Sequence, residues 1–169
     1  GGVYLLMEID PAEIAANRLE TVQGDIRSAF NRNPLIERQP PVQNEDRLTI
    51  ELTNPAEDMD EAVRRLRRLN PTLGTTQTEL FNVSQTGDRF IQLTVPGNAR
   101  TALAADAQSK MMEIIRRRID PDGVAEISIT PQGDNRIILE APGEADPKRI
   151  KDILSQAGRL TFNMANLDT

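Results

Sequence analysis

The sequence predicts an α+β fold, because the same order of elements, β-α-β-β-α-β, appears in it twice. Apolar residues alternate from Val3 to Ile9, which is the period of a strand, and again from Phe90 to Val95. Each of these strands precedes a long segment whose apolar residues recur at helical spacing. This order specifies a ferredoxin-like unit, in which one antiparallel sheet carries both helices on one face. We therefore expect two tandem, pseudo-symmetric ferredoxin-like halves.

The first half is predicted to comprise residues 1–85. Asp10 and Pro11 suit a helix start, because Asp accepts the free N–H groups of the first turn and Pro tolerates the first helical position. The apolar stripe of this helix continues to Phe30, and Pro34 ends it. The predicted elements of this half are strands at 3–9, 35–39, 47–52 and 79–83 and helices at 11–31 and 56–69.

The second half is predicted to comprise residues 86–169 and resembles the first in residues as well as in order. Its predicted elements are strands at 90–95, 125–130, 136–139 and 160–164 and helices at 98–119 and 146–158. The residues that match at one constant offset are Glu37, Arg47, Leu48, Ile50 and Glu51 with Glu126, Arg136, Ile137, Leu139 and Glu140. We hypothesise that the halves join edge to edge into one eight-stranded sheet, which would hide an edge of each half.

The composition excludes several classes of function. A net charge of −6 opposes general nucleic-acid binding, which needs cations to replace phosphate counterions, so we expect no nucleic-acid partner. The chain has no His and no Cys, which removes the commonest general base, the commonest metal ligand and the thiol nucleophile. We expect no catalytic residues, no cofactor and no metal site. The longest apolar run, Val3 to Met7, is far shorter than the roughly 20 residues of a membrane span.

Two arginine runs are the clearest charge features. Arg64-Arg65-x-Arg67-Arg68 and Arg116-Arg117-Arg118 could form patches that face anionic lipid headgroups or acidic partner segments. The alternative is a solvated helix face whose arginines pair with Glu61, Glu57 or Glu113 at helical spacing. We favour the solvated face for the first run. The second run ends its helix, where cations suit the dipole, and we leave both interpretations open for it.

The segment from Ile115 to Glu126, Ile-Arg-Arg-Arg-Ile-Asp-Pro-Asp-Gly-Val-Ala-Glu, resembles the signature of the SecD family of export-machinery proteins. The segments from Gln132 to Ile137 and from Leu139 to Gly143 continue the family pattern. Gly1-Gly2 resembles the end of the family's Asp-Leu-x-Gly-Gly motif, whose first three residues this chain lacks. The motif positions, with a structural or contact role, are Gly1, Gly2, Arg116, Arg118, Asp120, Gly123, Val124, Ala125, Glu126, Gln132, Gly133, Arg136, Pro142 and Gly143.

The resemblance implies a place in the bacterial cell and a set of partners. It implies that the chain is the ferredoxin-like base of the first periplasmic domain of an inner-membrane protein, without the head domain and membrane helices of the whole protein. The implied partners are SecF, the SecYEG channel and the translocating preprotein, and the membrane is reached only through the missing helices. The implied function is assistance to preprotein export driven by the proton-motive force, by conformational or binding action rather than catalysis.

Two other functions are compatible with the predicted fold. Paired ferredoxin-like units often hold small effectors, so a ligand-binding regulatory domain is the main alternative, although it rests on fold analogy alone. RNA binding through an open sheet would need aromatic residues on the central strands, where the sequence offers Leu48 and Ile50 instead. For the leading interpretation, we hypothesise that an exposed sheet edge or the open sheet face contacts the unfolded preprotein.

Overall fold

The computed structural model of the chain describes residues 2–74, 77–119, 127–143 and 146–162. Within these ranges it contains four helices and antiparallel strand pairs, which confirms the α+β class. The helices are α1 (Pro11–Phe30), α2 (Pro55–Leu69), α3 (Gly97–Ile119) and α4 (Pro147–Phe162). The strands are β1 (Val3–Glu8), β2 (Val42–Asn44), β3 (Arg47–Glu51), β4 (Thr72–Leu73), β5 (Thr78–Glu79), β6 (Asn82–Thr86), β7 (Phe90–Thr94), β8 (Ser128–Gln132) and β9 (Arg136–Ala141).

The chain divides into two compact units whose limits differ from the predicted halves 1–85 and 86–169. One unit, here the β1 unit, combines Gly1–Pro11 with Leu103–Thr169, and the other, here the β7 unit, is Ala12–Ala102. Strand β1, the predicted first strand of the half 1–85, therefore lies in the unit that contains most of the second half. Strand β7, the predicted first strand of the half 86–169, lies in the unit that contains most of the first half. Alternation of apolar residues determines which face of a strand is buried, but not which strand lies beside it. The order of elements along the chain is the same for either pairing.

The β1 unit contains a three-stranded antiparallel sheet in the order β1-β9-β8. One face of this sheet shares a single apolar core with α3 and α4, so both helices pack on the same face, as predicted. The buried members of this core are Ile115, Ile119, Leu139, Ala141, Ile150, Leu154 and Ala157. Val3, Leu5 and Met7 of β1 pack against them at every second position, because alternate side chains of a strand point to the same face.

The β7 unit contains a four-stranded antiparallel sheet in the order β2-β3-β7-β6 and a separate pair, β4-β5. The central strands β3 and β7 each bury two alternating apolar side chains, which are Leu48, Ile50, Ile91 and Leu93. The predicted stripe of α1 is buried, including Leu19, Val22 and Ile26. The described strands thus form separate sheets, and the hypothesis of one eight-stranded sheet is wrong for them.

Two predicted strands differ from the structure. Residues 35–39 form only an isolated bridge between Arg38 and Leu52, and the partner of β3 is instead β2, which follows Pro40 and Pro41. The predicted strand at 160–164 begins inside α4, which continues through residue 162, while residues 163 and 164 lie outside the described ranges. The helix continues past Gly158, and in its last turn Thr161 Oγ1 donates to the carbonyl of Ala157.

Candidate functional site

The turn between β8 and β9, residues 132–136, carries three of the predicted motif positions. Gly133 has a φ of +58°, a left-handed conformation that glycine adopts without the steric cost of a side chain. The buried Gln108 of α3 donates its Nε2 to the carbonyl oxygens of Gly133 at 3.0 Å and Arg136 at 2.7 Å. One buried amide therefore attaches the whole turn to α3.

The same turn is also attached to the end of β1. The backbone N–H of Ile9 donates to the carbonyl of Asn135 at 2.7 Å, and the side-chain Nδ2 of Asn135 donates back to the carbonyl of Ile9 at 3.1 Å. Arg136 adds a long ion pair with Glu8 at 3.7 Å, while the side chain of Gln132 is exposed. In this region the motif positions hold a turn, and sequence reasoning missed Gln108. A polar residue on a largely apolar helix face was the available signal.

Gly2 lies where the start of β1 meets the end of β9. A Cβ atom at this position would come within 2.5 Å of the carbonyl oxygen of Ala141, a distance that real Cβ atoms do not show. Close backbone approach therefore requires glycine here. Gly143 is exposed and Pro142 half-buried beside this contact, and Gly1 lies outside the described residues.

The second arginine run forms the exposed C-terminal end of α3. Arg118 Nη1 donates to the Oε1 of Gln156 on α4, and Arg117 pairs with Glu113 one turn earlier. Arg116 has no ion-pair partner among the residues that the structure describes. Cations at this end suit the partial negative charge of the last carbonyls. The remaining signature positions, Asp120, Gly123, Val124, Ala125 and Glu126, lie outside the described ranges.

The first arginine run is not a uniformly solvated helix face. Arg64 lies on the surface and pairs with Glu61 at 2.7 Å, as expected for that interpretation. Arg65 is buried, and its guanidinium donates to Glu61 at 2.9 Å, to the carbonyl of Ala29 at 2.9 Å and to the carbonyl of Pro34 at 2.8 Å. Arg65 therefore stabilises the C-terminal end of α1. The expectation of a solvated face is wrong for this residue.

Two pKa values in the β7 unit are displaced. The hydrogen bonds from Arg64 and then Arg65 lower the pKa of Glu61 below its ordinary value of 4.5. Burial, and secondarily the neighbouring Arg27, lowers the pKa of Arg38. Arg38 lies over the ring of Phe30, 5.7 Å from its centroid, and donates to the side chain of Asn31 at 2.8 Å. Both groups thus support the loop that follows α1.

The face of the three-stranded sheet opposite its core is here called the open face. Its β1 side chains Tyr4 and Leu6 are 62% and 53% exposed. Leu6 lies opposite the half-buried Ile138 of β9, and Thr130 of β8 lies opposite Ile138 in turn. The open face therefore presents an apolar patch that is concentrated on β1.

The two edges of this sheet differ in their ability to accept another strand. Among the described residues β1 pairs with β9 alone, so one side of its backbone carries no strand. Ile9 is hydrogen-bonded to Asn135, and bonded pairs occur at every second position of an antiparallel ladder. Leu5 and Met7 are therefore bonded to β9, whereas the backbone N–H and C=O groups of Tyr4 and Leu6 point away from it. On the other edge β8 carries Pro131, which lacks an N–H and discourages pairing. The β1 edge is thus the one suited to strand addition.

No group of three acidic, His or Cys side chains suited to a metal ion occurs in the described parts of the chain. Every buried side-chain nitrogen or oxygen within those parts has a hydrogen-bond partner. Of the helices in the described ranges, none combines the length and apolar character that crossing a membrane requires. The arrangement is suited to contacts made through a strand edge, an apolar face and arginine side chains.

Comparisons with known proteins all lead to one family. Residues 108–167 match the model described as "Protein translocase subunit SecDF, P1 domain, N-terminal". Protein translocase subunit SecD of Acetobacter pasteurianus is 32% identical over 98% of this chain and 31% of its own length. The SecD of Magnetococcus marinus is 31% identical over 98% of this chain and 30% of its own length, and that of Haemophilus influenzae is 29% identical over 98% and 26%. The chain therefore spans less than a third of these relatives. No solved structure matches it.

Proposed function

Because this chain belongs to the SecD family and matches its P1 domain, we propose that it forms the periplasmic base of a translocase accessory subunit. The resemblance predicted from the arginine-rich signature is thereby confirmed. In this proposal the base assists preprotein export, driven by the proton-motive force, through binding and conformational change rather than catalysis. Its partners are SecF, the SecYEG channel and the translocating preprotein, and membrane attachment lies in segments outside this chain.

The proposed contact with the preprotein is strand addition at the β1 edge. A translocating chain is extended and carries unpaired backbone groups, which an open strand edge can satisfy whatever the sequence. One observation carries the proposal. The backbone N–H and C=O groups of Tyr4 and Leu6 point to this edge, away from β9, while their side chains lie on the open face. Between Val3 and Met7 no charged side chain interrupts the edge, so apolar segments are accepted as well.

The proposed architecture is ferredoxin-like in the β7 unit, where β7 replaces the predicted first strand. It is supported by the sheet order β2-β3-β7-β6, in which β7 lies between the third strand and the last strand of the predicted first half. In this proposal Gly2, Gly133 and Arg136 maintain the β1 unit. Arg116, exposed on α3, is proposed to contact partners.

The test uses photo-crosslinking amino acids in full-length SecD during preprotein translocation into inverted membrane vesicles. Crosslinkers replace Tyr4 or Leu6 on β1. A comparison position is Thr130, which lies on the same face but on β8, the edge strand that carries Pro131. The control position is the exposed Thr21 of α1. We expect capture of the preprotein at positions 4 and 6, less at 130 and none at 21. No capture on β1, or equal capture at Thr21, would refute the proposal.

A proline pair separates edge pairing from general damage to the sheet. Leu6→Pro removes an N–H that points away from β9, whereas Leu5→Pro removes one that belongs to the β1–β9 ladder. We expect Leu6→Pro to leave the base folded while reducing preprotein capture, and Leu5→Pro to destabilise it. A folded Leu6→Pro protein with normal capture and normal export would argue against strand addition.

A further inference from the structure

A surface cleft of about 350 Å³ lies in the β7 unit, away from the residues of the proposed strand-addition site. Its walls come from the C-terminal turns of α1 and α2 and the residues that follow α1. The lining residues are Asp25, Ser28, Ala29, Arg32, Arg65, Arg68 and Leu69. The volume is within the range of sites that hold small ligands, roughly 300–1,000 Å³. The cleft therefore has room for a small group rather than a folded partner.

The charge of this cleft is opposite to that of the whole chain. The lining residues include three arginines, Arg32, Arg65 and Arg68, and one acidic residue, Asp25. Arg32 and Arg68 are exposed, and neither has an ion-pair partner within the described ranges. The chain as a whole carries a net charge of −6, so a local excess of cations stands out against it.

The helix ends that form the cleft would ordinarily repel an anion, because the last carbonyls of a helix carry partial negative charge. Arg65 counteracts this effect at α1, since its guanidinium occupies the carbonyls of Ala29 and Pro34. The Nε of Arg65 in turn donates to the Oε1 of Glu61 at 2.9 Å, which fixes the orientation of the guanidinium. The buried arginine therefore covers the negative end of α1 and leaves Arg32 and Arg68 to meet a ligand.

We propose that this cleft binds a phosphate group. Arginine donates paired N–H groups to phosphate oxygens, and here arginines from α2 and from the segment after α1 line the cleft together with Ser28 of α1. The phosphate could be free in solution or belong to a phospholipid headgroup. This inference is independent of the proposed function, because the two sites share no residue.

The test titrates inorganic phosphate into the folded chain at low ionic strength and follows the Ser28 amide and the arginine Nε–H signals by NMR. Arg68→Gln and Arg32→Gln are expected to weaken binding roughly threefold to tenfold each, the effect of losing one charge-assisted contact at an exposed site. The matched control is Arg67→Gln, which removes an exposed arginine beside Arg68 that does not line the cleft. We expect it to leave the affinity within twofold of the unmodified chain.

Equal weakening by Arg67→Gln and Arg68→Gln would overturn the proposal, because it would indicate diffuse attraction rather than a site. An absence of phosphate-dependent shifts at Ser28 would overturn it as well. Circular dichroism confirms that each variant is folded. Cosedimentation with phosphatidylglycerol vesicles, with phosphate as a competitor, distinguishes a phospholipid headgroup from free phosphate as the ligand. Vesicle binding that Arg68→Gln weakens assigns the site to a headgroup. Phosphate binding without vesicle binding assigns it to the free ion.

Discussion

Replacement of Gln108 by Leu tests whether one buried amide holds the β8–β9 turn. The substitution keeps the approximate volume of the side chain but removes both hydrogen bonds from Nε2, to Gly133 at 3.0 Å and Arg136 at 2.7 Å. Each such bond contributes about 1 kcal/mol net, and an acceptor left without water adds up to about 1 kcal/mol more. We therefore expect the free energy of unfolding to fall by about 2–3 kcal/mol.

The assay is urea denaturation followed by circular dichroism, together with hydrogen exchange of the Ile9 amide. With a urea dependence of about 2–3 kcal/mol per molar, the midpoint of the β1 unit should fall by about 1 M. The Ile9 N–H donates to Asn135 in the same turn, so its exchange should accelerate by roughly 30- to 150-fold. The matched control is Gln132→Leu, which changes an exposed residue of the same motif. Equal effects of the two substitutions would refute the reasoning.

Two further predictions concern close packing and acid stability. Gly2→Ala should lower the free energy of unfolding by about 1–3 kcal/mol, because the new Cβ would lie 2.5 Å from the Ala141 carbonyl oxygen. The control is Gly24→Ala in α1, where nothing lies within 4 Å of the new Cβ, and thermal unfolding should show no loss of stability or a small gain. The pKa of Glu61 is lowered in the folded state, so its ion pairs stabilise the fold above pH 4.5 and are lost as the pH falls through the folded value. By NMR titration, Arg64→Gln should raise this pKa, and an unchanged value would contradict the assignment.

The helices were predicted nearly to the residue because their signals are local. Asp10 and Pro11 mark the start of α1 and the apolar stripe ends at Phe30, so the predicted helix at 11–31 matches Pro11–Phe30. The same holds for α3, predicted at 98–119 and found at Gly97–Ile119. The start of α4 was also predicted, but Gly158 was taken as its end. A glycine inside a helix costs only about 1 kcal/mol, which packing of Leu154 and Ala157 readily offsets.

The polar residues that organise the structure were not predictable in the same way. Arg65 was expected on a solvated face because it stands in a run of arginines, yet it is 8% exposed. Its burial depends on the carbonyls of Ala29 and Pro34, which are more than 30 positions away along the chain. Gln108 likewise depends on the turn at 133–136. A sequence records the donor, but only the folded chain brings the acceptor to it.

The sequence by itself determined the α+β class, the positions of the helices and the resemblance to the SecD family, because caps, periodicity and motifs are read from neighbouring residues. Only the tertiary structure decided that β1 joins β9 rather than the strands of its own predicted half, and that β1 presents a free edge within the described residues. The physical reason is that alternation specifies the buried face of a strand and leaves its hydrogen-bonding neighbour open, because every backbone offers the same donors and acceptors.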